Sequence, residues 1–172
     1  DGFLCSSQLT FPISGASATN YSSVSWTHAG HGSLSNPSVL NPIYTPSIQD
    51  KGAIEFTLTA KGTSACGNVE ILDKFVLTIY DVIKVDAGQD HQIISGTVAN
   101  LNAKVSGGTG VFSYSWTPGE LLLNNAELKT STLPLNKETV FTLTAFDAIS
   151  GCQASNNVMI TMNDVERPIA HD

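Results

Sequence analysis

Short runs in which apolar and polar residues alternate recur along the whole chain. They are SSVSW (22–26), IEFTLTA (54–60), KFVLTIY (74–80), VANLNAKV (98–105), FSYSW (112–116), TVFTLTAF (139–146) and NNVMITM (156–162). Each is rich in Val, Ile, Thr and aromatics and is bounded by Gly, Pro, Asn or Ser, the pattern of half-buried antiparallel strands joined by turns. No segment repeats apolar residues at helical spacing over three turns. The chain is predicted to be all-β.

The strands fall into two sets. SSVSWT around Trp26 matches YSWTP around Trp116, and EFTLTA from Glu55 matches VFTLTA from Val140. LNPIYTPS (40–47) matches TSTLPLN (130–136) with Pro46 opposite Pro134, ACG at Cys66 matches GCQ at Cys152, and VLTI at Val76 matches MITM at Met159. The offset drifts only slightly, as when one fold gains or loses loop residues. Residues 1–82 and 83–172 are therefore expected to be two copies of one module, with the boundary at VIKVDAGQD (82–90). So short a connection predicts an elongated, semi-rigid pair. Trp26 and Trp116 each stand on an early central strand, and a Cys stands near the end of each copy. These features point to immunoglobulin-like sandwiches with the two indoles in their cores. Phe56, Leu58, Phe141 and Leu143 would point into the same cores.

Composition narrows the function. Fifteen acids against eight bases leave a net charge of −7, with Arg167 the only arginine. Nucleic acid and anionic membrane are poor partners for such a surface. No apolar run reaches the ~18 residues of a spanning helix, so direct membrane insertion is not expected. The chain begins without Met or a signal peptide and reads as a piece of something longer. Three cysteines, Cys5, Cys66 and Cys152, imply one pair and one leftover in an oxidising compartment.

Candidate chemistry is sparse. His28 and His31 lie close together in SWTHAGHGS, but zinc needs three or four ligands and no third stands nearby. Asp81, Asp86 and Asp90 gather at the module boundary, and Asp147 precedes Cys152. Of these, Asp86 and Asp90 are the candidates for calcium, against the alternative that all four are turn formers. No motif for a nucleophile elbow, a zinc protease or a phosphate loop occurs, so no enzyme activity is expected. Tyr21, Tyr44, Phe112 and Tyr114 are the candidates for a glycan platform, although they are scattered along the chain.

DAGQDHQIISGTVANLNAKVSGGTGVFSYSWTP (86–118), followed by TVFTLTAFDAISGC (139–152), resembles the PKD-like repeat of large surface proteins of the Bacteroidota. SGASATNYSSVSWTHAGHGSLSNPSVLNPIYTPS (14–47) resembles its close variant. The resemblance implies tandem PKD-like β-sandwiches, export by type IX secretion, and a place at the outer-membrane surface in adhesins or gliding-associated proteins. It also implies modules appended to secreted hydrolases. Within the pattern, the stretch after Trp is a turn, so His28 and His31 are expected to be turn residues. Cys5 and Cys66 fall on the family's cysteine positions and are expected to pair. That pair would close a loop of about 60 residues, contributing roughly 4 kcal/mol. Ile94 stands where the second module's first cysteine belongs, which would leave Cys152 as a small buried apolar residue. The expected role is a spacer or stalk whose partners are neighbouring modules. The alternatives are a glycan-binding accessory module meeting surface glycans, and a segment of a surface assembly that meets other cell-surface proteins through exposed sheet edges.

Overall fold

A computed structural model describes residues 1–64 and 69–163. The chain divides into two compact units, Asp1–Val82 and Ile83–Asp172.

Unit 1 is built from β1 (Gly2–Cys5), β2 (Phe11–Pro12), β3 (Tyr21–His28), β4 (Ser33–Leu34), β5 (Ile43–Thr45), β6 (Gly52–Gly62) and β7 (Glu70–Tyr80). One sheet runs β1–β7–β6–β3 and the other β2–β5–β4. Alternation in β6 buries Ile54, Phe56 and Leu58 and turns Glu55 outward. From the other sheet Tyr44 enters the same core, which also holds Val24, Trp26, Leu77 and Ile79. Phe75 stacks on Phe56 at 4.8 Å and meets Trp26 edge-on at 5.8 Å. Such pairs add to the area they bury.

Unit 2 comprises β8 (Lys84–Asp86), β9 (His91–Ile94), β10 (Asn100–Asn102), β11 (Lys104–Ser106), β12 (Phe112–Thr117), β13 (Lys129–Ser131), β14 (Thr139–Asp147) and β15 (Gln153–Asn163), with a 3-10 turn at Gly119–Leu121. Its main sheet runs β12–β14–β15–β9, and β10–β13 and β11–β8 are two-stranded ladders. Trp116, Phe141, Leu143, Val158 and Ile160 are fully buried in its core.

The two units repeat in register as well as in sequence. Trp26 pairs with Leu58 and Trp116 with Leu143. In each unit the first strand of the main sheet lies parallel to the last, with Cys5 opposite Tyr80 and Ile94 opposite Asn163. All other main-sheet neighbours are antiparallel.

Candidate functional site

The polar groups that the folds bury are concentrated in loops. In unit 1 β3 ends at His28, which pairs with Phe56 and is a strand residue, not the turn residue expected; the chain then turns through Ala29–Gly32, and Asp50 reaches into that turn. Its carboxylate accepts hydrogen bonds from the Tyr44 hydroxyl (2.6 Å), the His31 amide (2.7 Å) and the Ser47 amide (2.7 Å). The Tyr44 oxygen in turn accepts from the Gly32 amide (3.1 Å). Burial would raise the Asp50 pKa, but these donors outweigh it and hold the carboxyl below its ordinary value. Burial, and then the Asp50 hydrogen bond, push the Tyr44 hydroxyl up to about 12. Both groups keep one protonation state across the physiological range, so the pair is a fixed brace for the loop.

The histidines therefore do different work from a metal pair. His31 gives its amide to Asp50, and its largely exposed ring lies 3.5 Å from the same carboxylate. His28 turns inward, its ring centroid 5.0 Å from Tyr44 and 5.3 Å from Phe56. Its Nδ1 is buried without a hydrogen-bond partner. Among the described residues, no group of three or more His, Cys, Asp or Glu side chains is placed to hold a metal ion.

Asp147 plays the bracing part in unit 2. Fully buried at the end of β14, it accepts from the Thr109 amide (2.5 Å), the Thr109 hydroxyl (2.6 Å), the Ile149 amide (3.1 Å) and the Ser150 amide (3.2 Å). Burial opposes ionisation, yet the Thr109 hydroxyl and amide, with the amides of Ser150 and Ile149, lower its pKa to about 2. This ties the SGGTG loop to the turn before Cys152. Gly108, at φ +56°, sits so close to the Asp147 carboxylate that a Cβ there would collide with it.

The boundary acids are engaged one by one. Asp86 accepts from the Gly88 amide (3.0 Å), Asp90 from the Met159 amide (2.7 Å), and Asp81 lies 3.6 Å from Lys51 in an exposed ion pair. The calcium candidates Asp86 and Asp90 thus serve as acceptors for backbone amides.

The aromatic candidates separate similarly. Tyr44 is fully buried. Phe112 and Tyr114 are half-buried and share the inward face of β12 with Trp116, their rings 6.3 Å apart. Tyr21 alone of the four is exposed, beside an apolar groove of about 310 Å³ in unit 1. Trp26 and Trp116 are buried, and each indole N–H donates to a carbonyl of its own unit: Val39 and Leu40 for Trp26, Glu127 for Trp116.

The cysteines require a correction. Cys152 is buried, and both it and Cys5 are disulfide-bonded, so Cys152 is not the unpaired apolar residue expected. Cys66 lies outside the described residues, and so does the Cys5–Cys66 pairing that falls on it. In unit 2 the two corresponding positions are Ile94 and Cys152. Ile94 lies opposite Asn163, whereas Cys152 precedes Gln153 at the other end of β15.

A scan against protein-family models finds no match, nor does a search of curated proteins. Solved structures do match. Extracellular domains 3–5 of Drosophila OTK are similar at 12% identity and a TM-score of 0.54, over 94% of this chain and 59% of that one. A C-terminal 282-residue fragment of intimin, solved with the intimin-binding domain of the translocated intimin receptor, is similar at 17% identity and a TM-score of 0.55. That match covers 90% of this chain and 57% of that one. The chain spans just under three-fifths of each of these two structures. At these identities the likeness concerns the fold alone, and it agrees with the sheet topology above: the chain is all-β, with immunoglobulin-like architecture.

Proposed function

We propose that the two units are non-catalytic spacer modules of a large secreted or surface-anchored bacterial protein, of the adhesin or gliding-associated kind that the PKD-like motifs bring to mind. The observation that carries this reading is how the buried polar groups are used. Asp50, Tyr44, Asp147 and both indoles are each committed to bracing a loop or a strand of their own unit. Such groups are held in one ionisation state and one geometry, whereas acid–base catalysis needs groups poised to exchange protons. Disulfide bonding of Cys5 and Cys152 supports an oxidising, extracellular setting. Outer-membrane association and type IX secretion belong to the same proposal, as do neighbouring modules as the principal partners.

The test is replacement in the parent protein. Exchanging residues 1–163 for an unrelated pair of immunoglobulin-like domains of equal length should leave adhesion or gliding unchanged. Loss of function with normal export and surface display would show that these units carry a specific binding surface, and the spacer reading would fail.

A further inference from the structure

Unit 2 covers one end of its main sheet with its own first strand. Ile83 and Ala87 are buried and Val85 packs on the core, so every second residue of this segment faces inward. On its other side β8 pairs antiparallel with β11, Val85 opposite Val105. The Ala87 amide donates to the Asn156 side-chain oxygen (3.3 Å). Beneath it, Leu143 and Ala145 are fully buried.

Register locates the same place in unit 1. The row Trp116–Leu143–Asn156 corresponds to Trp26–Leu58–Asp73, and the row Tyr114–Ala145–Ala154 to Val24–Ala60–Ile71. The approach to the parallel strand corresponds as well: Asp90 accepts from the Met159 amide, and Asp1 accepts from the Val76 amide. Ile13 and Ala103 donate their amides to equivalent carbonyls, Pro42 just ahead of β5 and Leu128 just ahead of β13. Ser14–Ala16 is therefore the counterpart of β11, yet it belongs to no strand.

In unit 1 this place is an open groove lined by Tyr21, Leu58, Ala60, Val69, Ile71 and Asp73. Ile71, on the inward face of β7, is 65% exposed. Asp73 keeps a carboxylate acceptor where Asn156 accepts the Ala87 amide in unit 2.

We propose that the groove of unit 1 receives an extended strand with the alternation of Ile83–Ala87, pairing antiparallel with Ser14–Ala16 and entering β1 directly ahead of Asp1. Its apolar residues would cover Ile71, Ala60 and Leu58, and one of its amides would bond Asp73. The occupant follows from the repeat: the same face in the same register is already filled by such a strand in unit 2. Strand addition supplies backbone hydrogen bonds for affinity and alternate pockets for specificity.

The experiment places the eight residues VIKVDAGQ ahead of Asp1 in the full chain, with a control whose added Ile and both added Val are serine. Side-chain footprinting then reads the exposure of Val69 and Ile71, and calorimetry reads unit 1. The extended chain should label Ile71 at least about threefold less than the parent. The first melting transition should rise by roughly 5 °C. The serine control should show neither change, and the extended chain carrying Ile71→Arg should show no rise in melting and no protection of Val69. Unchanged labelling and melting would overturn the proposal, as would an equal effect in the serine control. Protection of Ile71 by an oligosaccharide or by the free peptide, with no effect of the attached strand, would overturn it too. These readouts are independent of the spacer function.

Discussion

A buried carboxylate stabilises a fold only when donors surround it. Asp147 has two amides and a hydroxyl within 3.1 Å and a further amide at 3.2 Å. Asp147→Ala strands those donors and should cost about 3 kcal/mol in denaturant unfolding. Asp86→Ala, which loses one exposed turn bond, should cost less than about 1 kcal/mol. The pH dependence follows the same geometry. Against the burial that opposes ionisation, the Thr109 hydroxyl and the surrounding amides lower the folded carboxyl from an ordinary 3.8 to about 2, so the native state favours the ionised form. Its stabilisation is complete above the unfolded value and is lost as pH falls from about 4 toward 2. Unfolding free energies measured across that range should converge for the wild type and Asp147→Asn at the acid end. His28 makes the opposite case. Its ring packs between Tyr44 and Phe56 while Nδ1 lacks a partner, so His28→Phe should keep or raise stability, by up to about 1 kcal/mol. A loss larger than that would mean the imidazole has a polar duty that packing does not explain.

At the level of strands, the long alternating runs were legible because period-two burial leaves its mark in the sequence. EFTLTA and VFTLTA became the centres of β6 and β14, and the two tryptophans occupy equivalent core positions. The loop braces were not legible. Asp50 follows three residues after Ser47 in a polar stretch, and nothing in PSIQDKG announces a buried carboxylate. Tyr44 stood among the glycan-platform candidates because its partner, Asp50, is contributed by a loop. Cys152 was misjudged because motif positions give order along the chain but not distance across a sheet. Non-reducing peptide mapping should find Cys5 and Cys152 both oxidised. A thiol label on either in the native protein would contradict the structure. The segment VIKVDAGQD looked like a connection because its run is short, whereas β8 is a strand held by pairing with β11. Ile83→Ala should therefore destabilise unit 2 by about 3 kcal/mol, while Ile71→Ala in unit 1 should change stability by less than about 0.5 kcal/mol.

For the whole molecule, the repeated units carry separate cores, each drawn from its own strands. Calcium followed by a chelator should leave the melting profile unchanged, since Asp86 and Asp90 already serve backbone amides. A rise of several degrees with calcium would reopen the boundary as a cation site.

The parallel pairing of the first and last main-sheet strands has a mechanical consequence. In unit 1 the chain runs into one end of this pair and leaves from the other, β1 beside β7; in unit 2 the pair is β9 beside β15, and β8 comes before it. Tension along the polypeptide pulls the two strands past each other lengthwise. Every hydrogen bond of the pair is then loaded at once, instead of breaking one after another as in an unzipped hairpin. Rupture must cross the barrier for all of them together, and forced unfolding is governed by that barrier, not by equilibrium stability. Such a module, however marginal its melting temperature, behaves under pull as a latch.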